Sequence, residues 1–68
     1  MPAVSSSAVQ RIEYDEGSRT LFVIFEDGDR YAYFGVTPEL YAAFLRAESK
    51  GRFFQAEVRD RFDFHRIT

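Results

Sequence analysis

The sequence contains no cysteine and no tryptophan, and only one histidine and one lysine. Without cysteine there is no disulfide staple, no Cys-based zinc site and no thiol nucleophile. A lone histidine, with no acids clustered at ligand spacing, leaves little with which to hold a metal ion, and no cofactor is expected. Long apolar runs are missing too: none approaches the roughly 18 residues of a membrane span. Residues Met1-Pro2-Ala3-Val4-Ser5-Ser6-Ser7 have neither the charged start nor the apolar stretch of a signal peptide, so the expected compartment is the cytoplasm. An excess of positive charge is also lacking. Nine basic residues against eleven acidic ones give a net charge of −2, which argues against the basic field of a sequence-independent nucleic-acid binder. What is present is aromatic: eight Phe and four Tyr in 68 residues, 46% of them hydrophobic. A chain of this length forms one domain and buries roughly 60% of its extended surface, so the aromatics must supply the core.

The first half reads as strands joined by turns. Val9 to Asp15 alternates, with Ile12 and Tyr14 on one side and Arg11, Glu13 and Asp15 on the other. Glu16-Gly17-Ser18-Arg19 is a turn. Thr20 to Phe25 is apolar on both parities and rich in aromatic and β-branched residues, the composition of a central strand. Glu26-Asp27-Gly28 then closes a hairpin into Asp29 to Phe34. Two registers are open. A two-residue Asp27-Gly28 turn pairs Ile24 with Tyr31 and Phe22 with Tyr33. A three-residue loop, with Gly28 at positive φ, pairs Val23 with Tyr31 and Leu21 with Tyr33. The second is preferred because it collects Leu21, Val23, Phe25, Tyr31 and Tyr33 on one face.

The second half changes period. Thr37, Pro38 and Glu39 form a helix start, with a capping hydroxyl, a proline at the first position and an acid in the first turn. Leu40, Tyr41, Phe44 and Leu45 make one amphipathic stripe, and the helix should end near Glu48. Ser49-Lys50-Gly51 is a break and a new cap. Phe53, Phe54 and Val58 then face inward from a second short helix, with Arg52, Glu57, Arg59 and Asp60 outward. Phe62 to Ile67 alternates as a short extended segment. The expected fold is α+β: a three-stranded antiparallel β-meander followed by two short α-helices packed on one sheet face. Residues 1–7 are a flexible N-terminal segment, and residues 8–68 form the single domain.

The ordered set of motifs resembles the KTSC domain, a small bacterial module found at the C-terminus of some lysyl-tRNA synthetases and also standing alone. The resemblance runs through Ser6-Ser7-Ala8-Val9, Tyr14-Asp15, Leu21-x-Val23-x-Phe25 with Asp27-Gly28, and the central Tyr31-Ala32-Tyr33. It continues through Val36-Thr37-Pro38, where Thr37 departs from the family's Val-Pro, and Ser49-Lys50-Gly51-Arg52-Phe53-Phe54 with Val58-Arg59. Gln55 stands where Asn is expected, and Phe62 where Tyr is frequent. The family's function is unknown, and the resemblance implies RNA binding only through the synthetase neighbour.

Three groups of residues are candidates for function. Ser49, Lys50, Gly51 and Arg52 combine a helix start with two cations and suit a phosphate or carboxylate, with Arg46, Arg59 and Arg66 as further contacts. Capping of the second helix explains the same residues without a ligand. Tyr31 and Tyr33 on one sheet face suit base stacking, or serve as core tyrosines whose hydroxyls reach the rim. On the opposite face Phe22, Ile24 and Ala32, with Phe34 and Arg30, leave an apolar patch that two helices do not reach; its cover is the N-terminal segment, a second copy or a partner. Asp27-Gly28-Asp29 has too few oxygens for a calcium loop. Ser5, Ser6 and Ser7 have no base at a recognisable spacing. The expected function is a non-catalytic binding module. RNA, specifically tRNA, is the first ligand class, bound at the Ser49–Arg52 helix start and the Arg patch. A protein-interaction or self-association surface at Phe22, Ile24 and Ala32 is the alternative, on a monomer or weak homodimer.

Overall fold

The computed structural model describes residues 9–67. The segment 1–7, including Ser5, Ser6 and Ser7, lies outside them. Four strands form one antiparallel sheet in the order β1-β2-β3-β4: β1 (Val9–Asp15), β2 (Thr20–Phe25), β3 (Arg30–Phe34) and β4 (Phe64–Arg66). Between β3 and β4 come α1 (Pro38–Arg46) and α2 (Lys50–Phe53), and α2 runs on into a π-helical segment (Phe54–Val58). The fold is therefore α+β, with four strands where the sequence reading has three. The alternating extended segment read at Phe62 to Ile67 contains the fourth: Phe64–Arg66 becomes a strand by pairing with β3, more than 30 residues earlier, a partner that local alternation does not identify.

The β2–β3 hairpin adopts the three-residue loop. The Phe25 N–H donates to the Asp29 carbonyl at 2.9 Å, and the Gly28 N–H donates to the Phe25 carbonyl at 2.9 Å. Gly28 sits at φ 98°, in the left-handed region that glycine enters without a Cβ penalty. Asp27 Oδ1 accepts from the Asp29 N–H at 3.0 Å and braces the same turn. The resulting register pairs Leu21 with Tyr33 and Val23 with Tyr31, while β1 places Ile12 against Val23 and Tyr14 against Leu21. In the β1–β2 turn the left-handed residue is Arg19, at φ 55°, rather than a glycine. The Asp15 carboxylate accepts there from the Gly17 N–H and the Ser18 hydroxyl.

The core gathers Ile12, Leu21, Val23, Phe25, Tyr33, Val36, Phe44, Phe54 and Val58, with Tyr14, Tyr31, Tyr41, Phe53 and Phe62 packed against it. Helices and sheet meet through rings. Tyr41 of α1 stacks on Tyr14 at 4.7 Å, and Phe54 sets its edge against Phe25 at 5.2 Å. Phe44 stacks on Phe53 at 4.9 Å between the helices. Two hydrogen bonds to Val36 hold the crossing from β3 into α1. The Tyr14 hydroxyl donates to the Val36 carbonyl at 2.6 Å, and the Val36 N–H donates to the Arg19 carbonyl at 3.0 Å.

The Thr37 hydroxyl caps α1 by accepting from the Leu40 N–H at 3.2 Å. The helix stops at Arg46, two residues short of the expected end. Leu45, placed on the apolar stripe by the sequence reading, is 49% exposed. It stands about 100° round the helix from the fully buried Phe44, at the margin of the face that meets the core. The second helix also departs from expectation. Its Arg59 N–H reaches back to the Phe54 carbonyl at 2.8 Å, an i→i+5 bond, so the final turn is widened by one residue. No described helix is long and apolar enough to cross a membrane.

A Cβ added at Gly28 meets nothing within 4 Å, so the cost of Gly28→Ala is the positive φ alone. Urea unfolding should show a loss of about 1–2 kcal/mol. Gly17 has no positive φ, and its added Cβ would make an ordinary 3.5 Å contact with Asp15. Gly17→Ala should stay within about 0.5 kcal/mol of the parent.

Candidate functional site

The alternation that puts Tyr31 and Tyr33 on the core face continues into β4. Phe64 stands opposite Tyr33 and Arg66 opposite Tyr31, so both strands present their rings to the same side. Phe64 lies 5.6 Å from Tyr33 and 5.8 Å from Tyr31, ring centre to ring centre. Tyr31 and Tyr33 are 6.4 Å apart, their planes inclined by 30°. Behind them, Phe54 meets Tyr33 edge-on at 5.5 Å and Phe25 meets Tyr31 edge-on at 5.8 Å. These five rings line an open cleft of about 550 Å³, within the size range of small-ligand sites.

Its polar rim comes from two places. The β2–β3 turn supplies Asp27 and Asp29, and the π-helical segment with the turn that follows it supplies Gln55, Arg59 and Asp60. The widened turn matters here, because it turns Arg59 and Asp60 toward the wall that Phe54 and Gln55 already form. Arg66 pairs with Asp29, one of the lining carboxylates, at 3.2 Å. Tyr33 is 4% exposed, and burial pushes its hydroxyl up to about 12. Tyr31 adds to the rise; Arg59 opposes it, and Asp60 reinforces it. At neutral pH the Tyr33 hydroxyl therefore keeps its proton. The cleft thus offers flat apolar walls, carboxylate acceptors, the Gln55 amide and one guanidinium donor. Among the described residues no histidine, serine or threonine lines it.

The residues singled out from sequence are dispersed by the fold. Lys50 Nζ donates to the Leu45 carbonyl at 3.1 Å and the Ala47 carbonyl at 2.9 Å, so the only lysine closes the C-terminal end of α1. The Ser49 hydroxyl accepts from the Arg52 N–H at 3.2 Å, and Gly51 is buried. The Arg46 and Arg52 side chains are exposed. Arg59 lines the aromatic cleft, and Arg66 reaches it through Asp29. Of the tyrosine pair, Tyr33 belongs to the core and Tyr31 is half-buried.

On the other sheet face Phe22 and Ile24 are half-buried, Ala32 is 5% exposed and Phe34 is 44% exposed, with His65 placed opposite Ala32. Among the described residues no group of three His, Asp or Glu side chains is placed to hold a metal ion. Sequence reasoning missed Phe64, Gln55, Asp60 and the two turn aspartates as members of one site. The available signal was parity: Phe62-x-Phe64-x-Arg66 repeats the alternation of Tyr31-x-Tyr33.

Comparison with known proteins agrees along nearly the whole chain. The family model of the KTSC domain matches residues 5–62. A crystal structure of a KTSC domain protein from Yersinia pestis superposes with a TM-score of 0.84 at 38% identity, covering 94% of this chain and 90% of that one. A protein of Tsukamurella paurometabola is 40% identical over 62 residues, 91% of this chain and 92% of its own length. A lysine–tRNA ligase of Nostoc punctiforme is 29% identical over 62 residues, which is 91% of this chain but 11% of the ligase.

Burial of Tyr33 makes a prediction about alkaline stability. Its folded pKa of about 12 exceeds the unfolded value of 10.0, so its neutral form is favoured in the fold. The contribution is complete below about pH 10 and is lost as pH rises toward 12. Urea midpoints measured across that range should fall, and Tyr33→Phe, which has no proton to lose, should flatten part of the fall.

Proposed function

The chain belongs to the KTSC domain family, and on that premise we propose that it is a non-catalytic module that binds RNA by taking an unpaired base into the aromatic cleft. The carrying observation is Phe64: a large ring, 55% exposed, held 5.8 Å from a half-buried tyrosine on a four-stranded sheet. Exposed rings on a sheet are the means by which single-stranded RNA is stacked without base pairing. The lysine–tRNA ligase relative supports the same ligand class, since a module carried by such an enzyme has tRNA within reach.

The charge distribution decides how such binding would work. With a net charge of −2 and three aspartates around the cleft, phosphate attraction is a poor driving force. Lys50 is occupied at the end of α1, which leaves Arg59 as the lining cation. Stacking and base-edge hydrogen bonds would therefore carry the affinity, with Arg59 contacting one phosphate or one base carbonyl. This is a base-led mode, in contrast to the phosphate-led mode expected from Ser49–Arg52. The alternative surface at Phe22, Ile24 and Ala32 would show itself as concentration-dependent sedimentation.

Titration of the isolated domain with short single-stranded RNA should shift the amide resonances of Tyr31, Gln55, Arg59 and Phe64. The logarithm of affinity should fall with the logarithm of salt at a slope near −0.7, about one phosphate. Phe64→Ala, at an exposed position, should leave the fold intact and weaken binding by about 1–3 kcal/mol. Unchanged resonances at low salt would overturn the RNA reading.

A further inference from the structure

The walls of the cleft stack any base, so selectivity has to come from its rim. That rim is dominated by groups that only accept. Asp27, Asp29 and Asp60 are carboxylates, and ionised carboxylates have no hydrogen to donate. Two of the three are already engaged: Asp27 Oδ1 accepts from the Asp29 N–H, and Asp29 Oδ1 holds Arg66. Among the described residues the Asp60 carboxylate makes no ion pair. Asp60 lines the cleft beside Arg59.

From this pairing we infer that the base taken up is guanine, read by Asp60 and Arg59; the inference rests on RNA being the ligand. The bases differ in what their pairing edges present. Guanine offers two adjacent donors, N1–H and N2–H, followed by the O6 acceptor. A carboxylate takes the two donors side by side, and a guanidinium on the next residue can reach O6. Adenine and cytosine each set a ring-nitrogen lone pair beside their single amino group, and that lone pair would face the carboxylate. Uracil flanks its only N–H with two carbonyls. A purine also covers more of the Tyr31 and Phe64 rings than a pyrimidine does. Shape and edge chemistry therefore select the same base.

The test uses four ribotrinucleotides, U-N-U, that differ only in the central base, with N-acetylarginine amide as a cationic competitor for the same carboxylates and rings. The parent domain should bind the guanine trimer tightest, by roughly tenfold, the discrimination of one good bidentate pair. Asp60→Asn should abolish most of that preference, with an amide spectrum confirming the fold. Equal affinity for all four trimers, a different preferred base, or a guanine preference untouched by Asp60→Asn would overturn the inference while leaving RNA binding in place. Tighter binding of the arginine derivative than of any trimer would overturn it in favour of a cationic ligand. No binding of any trimer would overturn the RNA reading with it.

Discussion

Three residues between β2 and β3 govern what the rest of the chain can build. With Gly28 in the left-handed region, Glu26, Asp27 and Gly28 form the loop, and Tyr31 and Tyr33 fall on the same side as Leu21, Val23 and Phe25. A loop shorter by one residue would turn both tyrosines to the opposite face. Tyr33 would then leave Phe54, and the core would lose one of the two ring contacts, the other made by Phe25, that join the π-helical segment to the sheet. The same alternation, continued by Phe64 of β4, makes the cleft. Core and candidate site are thus two ends of one register, the buried end anchored by Tyr33 and the open end by Tyr31 and Phe64.

Around this register, the polar side chains are placed where the chain changes direction. The Tyr14 hydroxyl holds the Val36 carbonyl before α1, the Thr37 and Ser49 hydroxyls start the two helices, and Lys50 closes the end of α1. Each such bond contributes about 1 kcal/mol, a sizeable share of the stability expected of so small a domain. This use of Lys50 reshapes the electrostatics of binding. It removes the ammonium from the proposed phosphate contact and leaves a cleft in which aspartates outnumber arginines. Recognition there must come from flat rings and acceptors.

Local features were legible in the sequence because short-range physics determines them. The alternation of Ile12 and Tyr14 marks β1, the doubly apolar run Thr20 to Phe25 marks the strand with neighbours on both sides, and Thr37-Pro38-Glu39 marks the start of α1. The choice between two hairpin registers was also correct, because only one gathers the apolar residues on a single face. Long-range consequences were less accessible. Phe64–Arg66 is a strand only because β3 offers it an edge. The π-turn after Phe53 breaks the period that a helical reading assumes, and it brings Arg59 and Asp60 to the cleft. Lys50 resembled a ligand-binding cation because its partners, the last carbonyls of the preceding helix, are backbone groups that a residue pattern does not display.

The central claim is that the three-residue loop sets the register on which both core and cleft depend. In an antiparallel pair, residues opposite one another without mutual hydrogen bonds bring their Cα atoms closest. Nuclear Overhauser contacts between α-protons across β2 and β3 read the register directly. The account predicts contacts from Phe22 to Ala32 and from Ile24 to Arg30, the pairs that flank Val23 opposite Tyr31. Contacts from Val23 to Ala32 and from Phe25 to Arg30, the close pairs of a two-residue loop, would contradict it, and would turn Tyr31 and Tyr33 away from the cleft.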